Sequence, residues 1–451
     1  MFYIAIVGRP NVGKSTLFNK IVGGRPAIVD NTPGVTRDRH IAITERLDHR
    51  FGVMDTGGFE PAAEDELLAQ TCEQTILAIE EADFIIFVVD GTVGINPLDE
   101  EVAKLLRKSN KPVILAVNKM ENPRRHDEAF EFSKLGFGDV RPVSAEHSIG
   151  IESMLESALE SAPKEEQTDD DADETRPIRI AVTGKPNAGK SSLVNRLTGG
   201  DRMMVSNIPG TTRDAIDTHL AHDDRRFTLI DTAGIRRKSK VTQKLEKYSV
   251  IMAMKAIERA DVALLLIDGA EGISVQEAKI AGLIADAGCG VVIVVNKWDI
   301  VEKDEKTTLL YEEAIRRQLK FMAYAPIVFV SALTGQRVDK IWNAVEEVFV
   351  QYSKRIGTAK INSLVTDFTN RKQAPMYRGR RVKFYYTTQT RACPPTFVIM
   401  SNLPEGVNFS YRRYMVNQIR LQAGFEKTPI RILFKKPADR RTDQKRSKTR
   451  G

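Results

Sequence analysis

The sequence predicts an α/β chain in three folded parts: two copies of one doubly wound domain with a mostly parallel sheet, then a small α+β domain. Three observations carry this reading. Short motifs recur at a nearly fixed spacing, strand-like apolar runs alternate with segments of helical period, and after about residue 352 both pattern and charge change.

An internal repeat sets the architecture. "GRPNVGKST" at 8–16 matches "GKPNAGKSS" at 184–192, "NTPGVTRD" at 31–38 matches "NIPGTTRD" at 207–214, and "MDTGGF" at 54–59 matches "IDTAGI" at 230–235, each 176 residues on. "VNKME" at 117–121 pairs with "VNKWD" at 295–299 at a spacing of 178, and "VSAE" at 143 with "VSAL" at 330 at 187, so the second copy is slightly enlarged before its end. In the first copy strands are predicted near 4–7, 41–46, 51–55, 85–90, 113–117 and 139–143, with helices starting near Gly13, Asp65, Pro97, Arg125 and Ile149. Such alternation gives a mostly parallel sheet covered on both faces, with ligands at the carboxyl ends of the strands.

We therefore expect a first domain over 1–162 and a second over 178–351. Between them, 163–177 is an acidic stretch with four aspartates within five positions; it is too polar to fold and is expected to be a mobile linker. The third part, 352–437, has strand-like runs at 382–389, 396–402 and 429–436 and a helix over 410–424, with Ser410 as amino cap and Gly424 as stop. Phe384, Tyr385 and Tyr386 should alternate along the first of these strands, with about half of them in the core. Residues 438–451 form a basic tail expected to be disordered.

Composition excludes several classes. With 42% hydrophobic and 28% charged residues the chain is of ordinary globular type, and its longest apolar runs, at 262–267 and 291–295, are far too short to span a bilayer. No membrane anchor is expected, and the start, "MFYIAIVG", enters a strand without a secretory pattern. Three scattered cysteines, Cys72, Cys289 and Cys393, are too few for a disulfide framework or a CxxC metal site, which fits a reducing cytoplasm. His219 and His222 read as a solvated pair. The net charge of +7 conceals a polarity: from residue 352 onward 23 lysines and arginines face 5 acidic residues, an excess of 18 that leaves −11 for the rest. One end of such a chain is suited to a polyanion.

The repeated motifs specify phosphate chemistry. GxxxxGK[ST] between a strand and a helix turns backbone N–H groups inward around phosphates, its lysine reaches the β and γ phosphates, and its hydroxyl binds magnesium. This cradle comprises Gly8, Arg9, Pro10, Asn11, Val12, Gly13, Lys14, Ser15 and Thr16 in the first copy. In the second it comprises Gly184, Lys185, Pro186, Asn187, Ala188, Gly189, Lys190, Ser191 and Ser192. Thr36 and Thr212, about 21 residues beyond the cradle serine, suit a loop that closes over the γ phosphate and completes a magnesium shell. Asp55 and Asp231 would hold a magnesium-bound water, and Gly58 and Gly234 would offer an N–H to the γ phosphate. Their turns add Thr56, Gly57 and Phe59, and Thr232, Ala233 and Ile235.

NKxD selects the base, because a carboxylate accepts from the N1–H and exocyclic amine of guanine, whereas adenine has no N1–H. Asn296, Lys297, Trp298 and Asp299 satisfy it. Asn118, Lys119, Met120 and Glu121 do so with one extra methylene, so weaker guanine binding is expected in the first copy. Ser144 with Ala145, and Ser331 with Ala332, would add backbone contacts to the base.

On these motifs the chain resembles the bacterial Der (EngA) family, tandem P-loop GTPases with a carboxyl-terminal KH-like domain that act in ribosome assembly; the likeness runs through "TPIRILFKK" at 428–436. The resemblance implies GTP and GDP as ligands, hydrolysis at two sites, Mg2+ as cofactor, docking on the large (50S) ribosomal subunit and its rRNA, and a monomer. It also implies that Phe59 and Ile235, hydrophobic where other GTPases carry a catalytic glutamine, are a family trait. Relatives in the wider group place a potassium ion (K+) beside the phosphates, held partly by a cradle asparagine; the matching positions are Asn11 and Asn187, whose alternative role is to cap a turn. The KH-like part lacks a GxxG loop, having only Gly379 in 377–384. Arg371, Lys372, Arg378, Arg380, Arg381, Arg412 and Arg413 are then candidates for phosphate contacts on RNA, or for contact with a GTPase domain. The competing function is a nucleotide-gated RNA-binding module with negligible turnover. "RRKSK" at 236–240 is either a further RNA contact or a solvated loop.

Overall fold

The computed structural model describes residues 2–23, 41–47, 49–56, 78–162, 176–199, 204–205, 217–223, 225–231 and 248–437. Thr36, Gly57, Gly58, Phe59, Thr212, Thr232, Ala233, Gly234, Ile235, the helix expected near Asp65, the "RRKSK" stretch, residues 163–175 of the linker and the tail lie outside them. The chain divides into two compact units, Met1–Gln167 and Thr168–Gly451.

In the first unit β1 (Phe2–Val7) is the buried middle of a six-stranded sheet ordered β2-β3-β1-β4-β5-β6, with β2 at Ile41–Arg46, β3 at His49–Asp55, β4 at Phe84–Asp90, β5 at Val113–Asn118 and β6 at Val140–Pro142. All pairings are parallel except β2 with β3. β1 and β4 are buried at every position because helices cover both faces, which is why they read as unbroken apolar runs. Helix α1 (Lys14–Val22) follows β1, α2 (Pro97–Lys108) follows β4, and α3 (Ile151–Glu160) follows β6. Leu17, Ile21, Met154 and Leu155 pack with Ile4, Ile6, Ile86 and Val88 into one core. The helix expected near Arg125 is instead wound as a 3-10 helix over Pro123–Leu135, opened by Pro123 and by Asn122, whose side chain accepts the Arg124 N–H at 3.0 Å.

The second unit repeats this frame with β7 (Ile178–Gly184), α4 (Lys190–Thr198), β8 (Met204–Val205), β9 (Thr218–His222), β10 (Arg225–Leu229), α5 (Tyr248–Arg259), β11 (Val262–Asp268), α6 (Val275–Ala287), β12 (Gly290–Asn296), α7 (Thr307–Gln318), β13 (Ile327–Phe329) and α8 (Lys340–Tyr352). Its sheet has seven strands, β13-β12-β11-β7-β10-β9-β8. His222 is not part of a solvated pair: its ring stacks on Trp342 at 5.4 Å, while His219 Nδ1 meets Thr228 Oγ1 at 3.0 Å.

The small domain carries a helix not anticipated from the sequence, α9 (Thr358–Arg371), before β14 (Phe384–Arg391), β15 (Thr396–Ser401), α10 (Phe409–Ala423) and β16 (Arg431–Lys435). The sheet order is β14-β15-β16, and Phe368, Phe397, Tyr411, Met415 and Phe425 join both helices to it. Helix α10 is capped by Asn408, whose side chain accepts the Tyr411 N–H at 2.9 Å, and not by Ser410; Gly424 ends it at φ 73 as expected. Strict alternation also fails at the start of β14. A register shift between Phe384 and Tyr386 leaves Phe384 stacked on Tyr411 and exposes both Tyr385 and Tyr386.

This domain shares a seam with the second α/β domain. Ala392 and Cys393 belong to the same core as Phe349 and Tyr352, the Arg420 guanidinium lies 4.4 Å from the Tyr324 ring, and Arg431 Nη2 donates to Asp286 O at 2.6 Å. Arg176, near the end of the expected linker, is fastened there too: it donates twice to buried Asp261, at 2.7 and 2.8 Å, and its guanidinium lies 5.2 Å from the Phe349 ring.

Candidate nucleotide sites

Each cradle is built by a strand that ends and a helix that begins without a side-chain cap. Gly13 and Gly189 precede α1 and α4 at φ 95 and 93, and neither helix receives a capping side chain, so its first N–H groups are available to an anion. Asn11 and Asn187 turn the loop at φ 65 and 63, a region asparagine tolerates better than most residues. Lys14 Nζ donates to Arg9 O at 2.7 Å, and Lys190 Nζ to Gly184 O and Lys185 O at 2.8 and 2.6 Å. Burial pulls the Lys14 ammonium below the usual lysine range, against the opposing field of Asp55.

One amide ties cradle to base loop in each copy. Asn118 Nδ2 donates to Val12 O at 2.8 Å while its Oδ1 accepts from Ala145 N at 2.9 Å; Asn296 makes the same pair with Ala188 O and Ala332 N, both at 2.9 Å. The N–H groups of Ala145 and Ala332, expected to meet the base, are therefore engaged by asparagine. A Cβ on Gly13 would lie 2.3 Å from Asn118 Nδ2, and one on Gly189 2.2 Å from Asn296 Nδ2.

Met120 and Trp298 pack inward, Trp298 against Phe329 and Tyr311 at 4.5 and 5.1 Å, and hold the loop through N–H bonds to Val143 O and Val330 O. Lys119 and Lys297 pair with Asp90 and Asp268 at 2.6 and 2.7 Å. Burial would raise the Asp90 carboxyl, but the bonds from Lys119 and Thr92 outweigh it and hold it below the usual range. The sequence reading missed these two aspartates, although "VVDG" at 88–91 and "LIDG" at 266–269 repeat at the same spacing of 178 as NKxD.

The two carboxylates expected to read the base differ. Asp299 Oδ1 is buried with no hydrogen-bond partner, an acceptor that a guanine N–H would satisfy. Glu121 is exposed and Oε1 accepts from Ser144 Oγ at 3.3 Å. Glu121→Asp is accordingly expected to tighten first-site guanine binding about tenfold relative to adenine, as a charge-assisted bond is gained; unchanged GDP and ADP affinities in equilibrium titrations would count against this.

The two aspartates expected to serve magnesium differ as well. Asp55 ends β3 in register with Ile6. Asp231 lies past β10 at φ 56, and its N–H donates to Asp217 Oδ1 at 3.0 Å while Asp217 Oδ2 pairs with Arg259 at 2.6 Å. Serine hydroxyls and aspartates are hard oxygen donors suited to magnesium, and among the described residues no three His, Cys, Asp or Glu side chains cluster to hold a metal unaided. The rest of such a shell falls to phosphate oxygens and water.

A family model described as "50S ribosome-binding GTPase" matches residues 3–119 and again 179–297, and one described as "KH-domain-like of EngA bacterial GTPase enzymes, C-terminal" matches 355–435. A "GTPase Der" of Geobacter metallireducens is 50% identical over 432 residues, 96% of this chain and 98% of that one. The chain belongs to the Der GTPase family. A second Der protein, from Moorella thermoacetica, is 48% identical over 97% of this chain and 99% of its own. Among solved structures, the G domain of the T. maritima FeoB iron transporter is 28% identical and covers 36% of this chain and 99% of that one with a TM-score of 0.27, too loose an overlap to argue from.

As a Der family member the chain is a GTPase with two GTP-binding domains and a KH-like domain. On that last domain Arg378, Arg380 and Arg381 share one exposed loop, Arg371 and Lys372 close α9, and Arg412 and Arg413 lie near the start of α10. Arg371 pairs with Asp367 at 2.7 Å, and Lys372 and Arg412 lie over the rings of Tyr414 and Phe434. No helix among the described residues is long and apolar enough to cross a membrane.

Proposed function

We propose that the chain is a cytoplasmic, monomeric two-site GTP switch that acts in assembly of the large (50S) ribosomal subunit, docking on its rRNA through the basic KH-like domain in a nucleotide-dependent way. The observation that carries this reading is the pairing of two complete cradles, each bridged to its own base loop, with a positively charged domain built into the same compact unit as the second of them.

In each site the cradle N–H groups and Lys14 or Lys190 hold the phosphates, Gly58 or Gly234 offers a backbone N–H to the γ phosphate, and water attacks the γ phosphorus while its bond to the β–γ bridging oxygen breaks, so that GDP leaves and inorganic phosphate is released. Magnesium, when bound by Ser15, Thr36 and Asp55 or by Ser191, Thr212 and Asp231, neutralises phosphate charge. Potassium would be a second cofactor, held partly by Asn11 and by Asn187, and would offset charge that develops on the phosphates; equal turnover in matched potassium and sodium buffers would remove it. Asp299, and less well Glu121, selects guanine.

The deciding experiment is sedimentation with purified ribosomal subunits in GTP analogue, GDP and no nucleotide. Co-sedimentation with the large subunit in one nucleotide state is expected; absence from both subunits in every state would overturn the ribosomal role while leaving the GTPase intact.

A further inference from the structure

Two cradle residues have partners that phosphate chemistry does not explain. Arg9 Nε lies 3.3 Å from Asp99 Oδ1 and 3.4 Å from Oδ2, and Lys185 Nζ lies 3.4 Å from Glu277 Oε1 and 2.5 Å from exposed Glu271. Asp99 and Glu277 are fully buried and occupy the same place in the two copies, the third position of α2 and of α6. Each closes a capping box: Asp99 accepts the Asn96 N–H at 3.1 Å, and Glu277 accepts the Ser274 N–H at 2.9 Å together with its hydroxyl.

A capping carboxylate needs only one oxygen for that task and is ordinarily solvated. Burying it wholly is unfavourable unless a cation faces it, and in both copies the cation comes from the residue that follows the first cradle glycine. The same residue accepts the cradle lysine on its carbonyl, Lys14 on Arg9 O and Lys190 on Lys185 O. The chemical identity of the pair differs between copies, arginine with aspartate and lysine with glutamate, while the connection is kept.

We propose that Asp99 and Glu277 are positioning residues for nucleotide binding, each pinning its cradle through Arg9 or Lys185 so that the loop is already wound when phosphate arrives. The proposal rests on the reading of these loops as phosphate cradles. It also draws Arg9 and Lys185 away from the nucleotide, Arg9 to buried Asp99 and Lys185 to exposed Glu271 with buried Glu277 3.4 Å away, which leaves Lys14 and Lys190 to meet the phosphates. Preorganisation of this kind favours binding by lowering the ordering cost, so its loss is read in affinity and KM more than in kcat.

The test uses the full-length chain with Lys190→Ala to silence the second cradle, and titrates fluorescent GDP into the first. Asp99→Asn, which keeps a cap acceptor but loses the charge, and Arg9→Gln are each expected to weaken binding about tenfold, and the double variant to be no worse than the worse single, since contacting pairs are non-additive. Arg9→Lys with Asp99→Glu, the second copy's own pair, should restore affinity to within about threefold. Singles that lower only the melting temperature with GDP affinity unchanged, or effects that add in the double, would overturn the pinning. Lys14→Ala without effect on first-site GDP would instead overturn the cradle reading beneath it. Should Asp99→Asn fail to fold, Glu277→Gln and Lys185→Met in a Lys14→Ala background put the same question to the second site.

Discussion

Asp261→Ala is expected to lower the stability of the second unit by about 3–5 kcal/mol, the usual effect of breaking a buried charge cluster by removing one partner. Asp261 is buried and accepts from Arg176 twice, from the Arg179 N–H at 2.9 Å and from Arg179 Nη2 at 3.1 Å; without it, half-buried Arg176 has lost its counter-charge. Burial alone would raise the Asp261 carboxyl, but the bonds from both arginines outweigh it and hold it below the usual carboxylate range. The sign of the pH dependence follows. A carboxyl whose folded-state value is depressed binds its proton more readily unfolded, so its contribution is complete above an unfolded value of about 4 and fades as pH falls below that. Urea titrations of wild type and variant should therefore differ most above about pH 5 and converge in acid. A wild-type urea midpoint for Asp261→Ala at neutral pH would refute the cluster's structural role. The equivalent Asp83 makes the same backbone pair with Tyr3, accepting its N–H at 2.9 Å.

Gly189→Ala should abolish tight nucleotide binding at the second site while leaving the first intact. Two penalties coincide there. The left-handed backbone disfavours any L side chain by about 1–2 kcal/mol, and the new methyl would lie 2.2 Å from Asn296 Nδ2, displacing a buried amide that is bonded through both its nitrogen and its oxygen. Each buried group left unpaired costs a further 1–3 kcal/mol or so. Together these predict a loss of at least about a hundredfold in GDP affinity. Asn296→Ala separates the terms, since it removes the crosspiece without straining the backbone, and should fall between wild type and Gly189→Ala. A Gly189→Ala protein that binds two equivalents of GDP within threefold of wild-type affinity would rule out the crosspiece.

Much of this was legible in the sequence, for identifiable reasons. The cradle needs glycine where backbone and asparagine crowd together, so Gly13 and Gly189 are fixed by sterics and stand out as a motif. Buried parallel strands such as "VALLLID" announce themselves because both faces are apolar. Helix α9 was missed although Ile361, Leu364, Val365 and Phe368 stand at helical spacing; the polar residues between them masked the period. The roles of Asp99 and Glu277 could not be read at all, because an acid at the third helical position is a common local signal and Arg9 is 90 residues away. Nor could the dual use of Asn118 and Asn296, which spend their amides on the protein itself. Glu121 was visible as a departure, but its bond to Ser144 needed the folded loop.

The seam through Arg176, Ala392, Cys393 and Arg420 bears on how the molecule can be dissected. A fragment ending near residue 352 would uncover Phe349 and Tyr352, strip Tyr324 of its covering guanidinium, and present a sticky apolar patch to its neighbours. Its behaviour in solution would then report self-association and not the properties of the second nucleotide site. The natural place to divide the polypeptide is the acidic stretch before Arg176, close to the division at Thr168 between the two compact units. Cut there, the second site keeps its basic neighbour and Arg176 stays on Asp261.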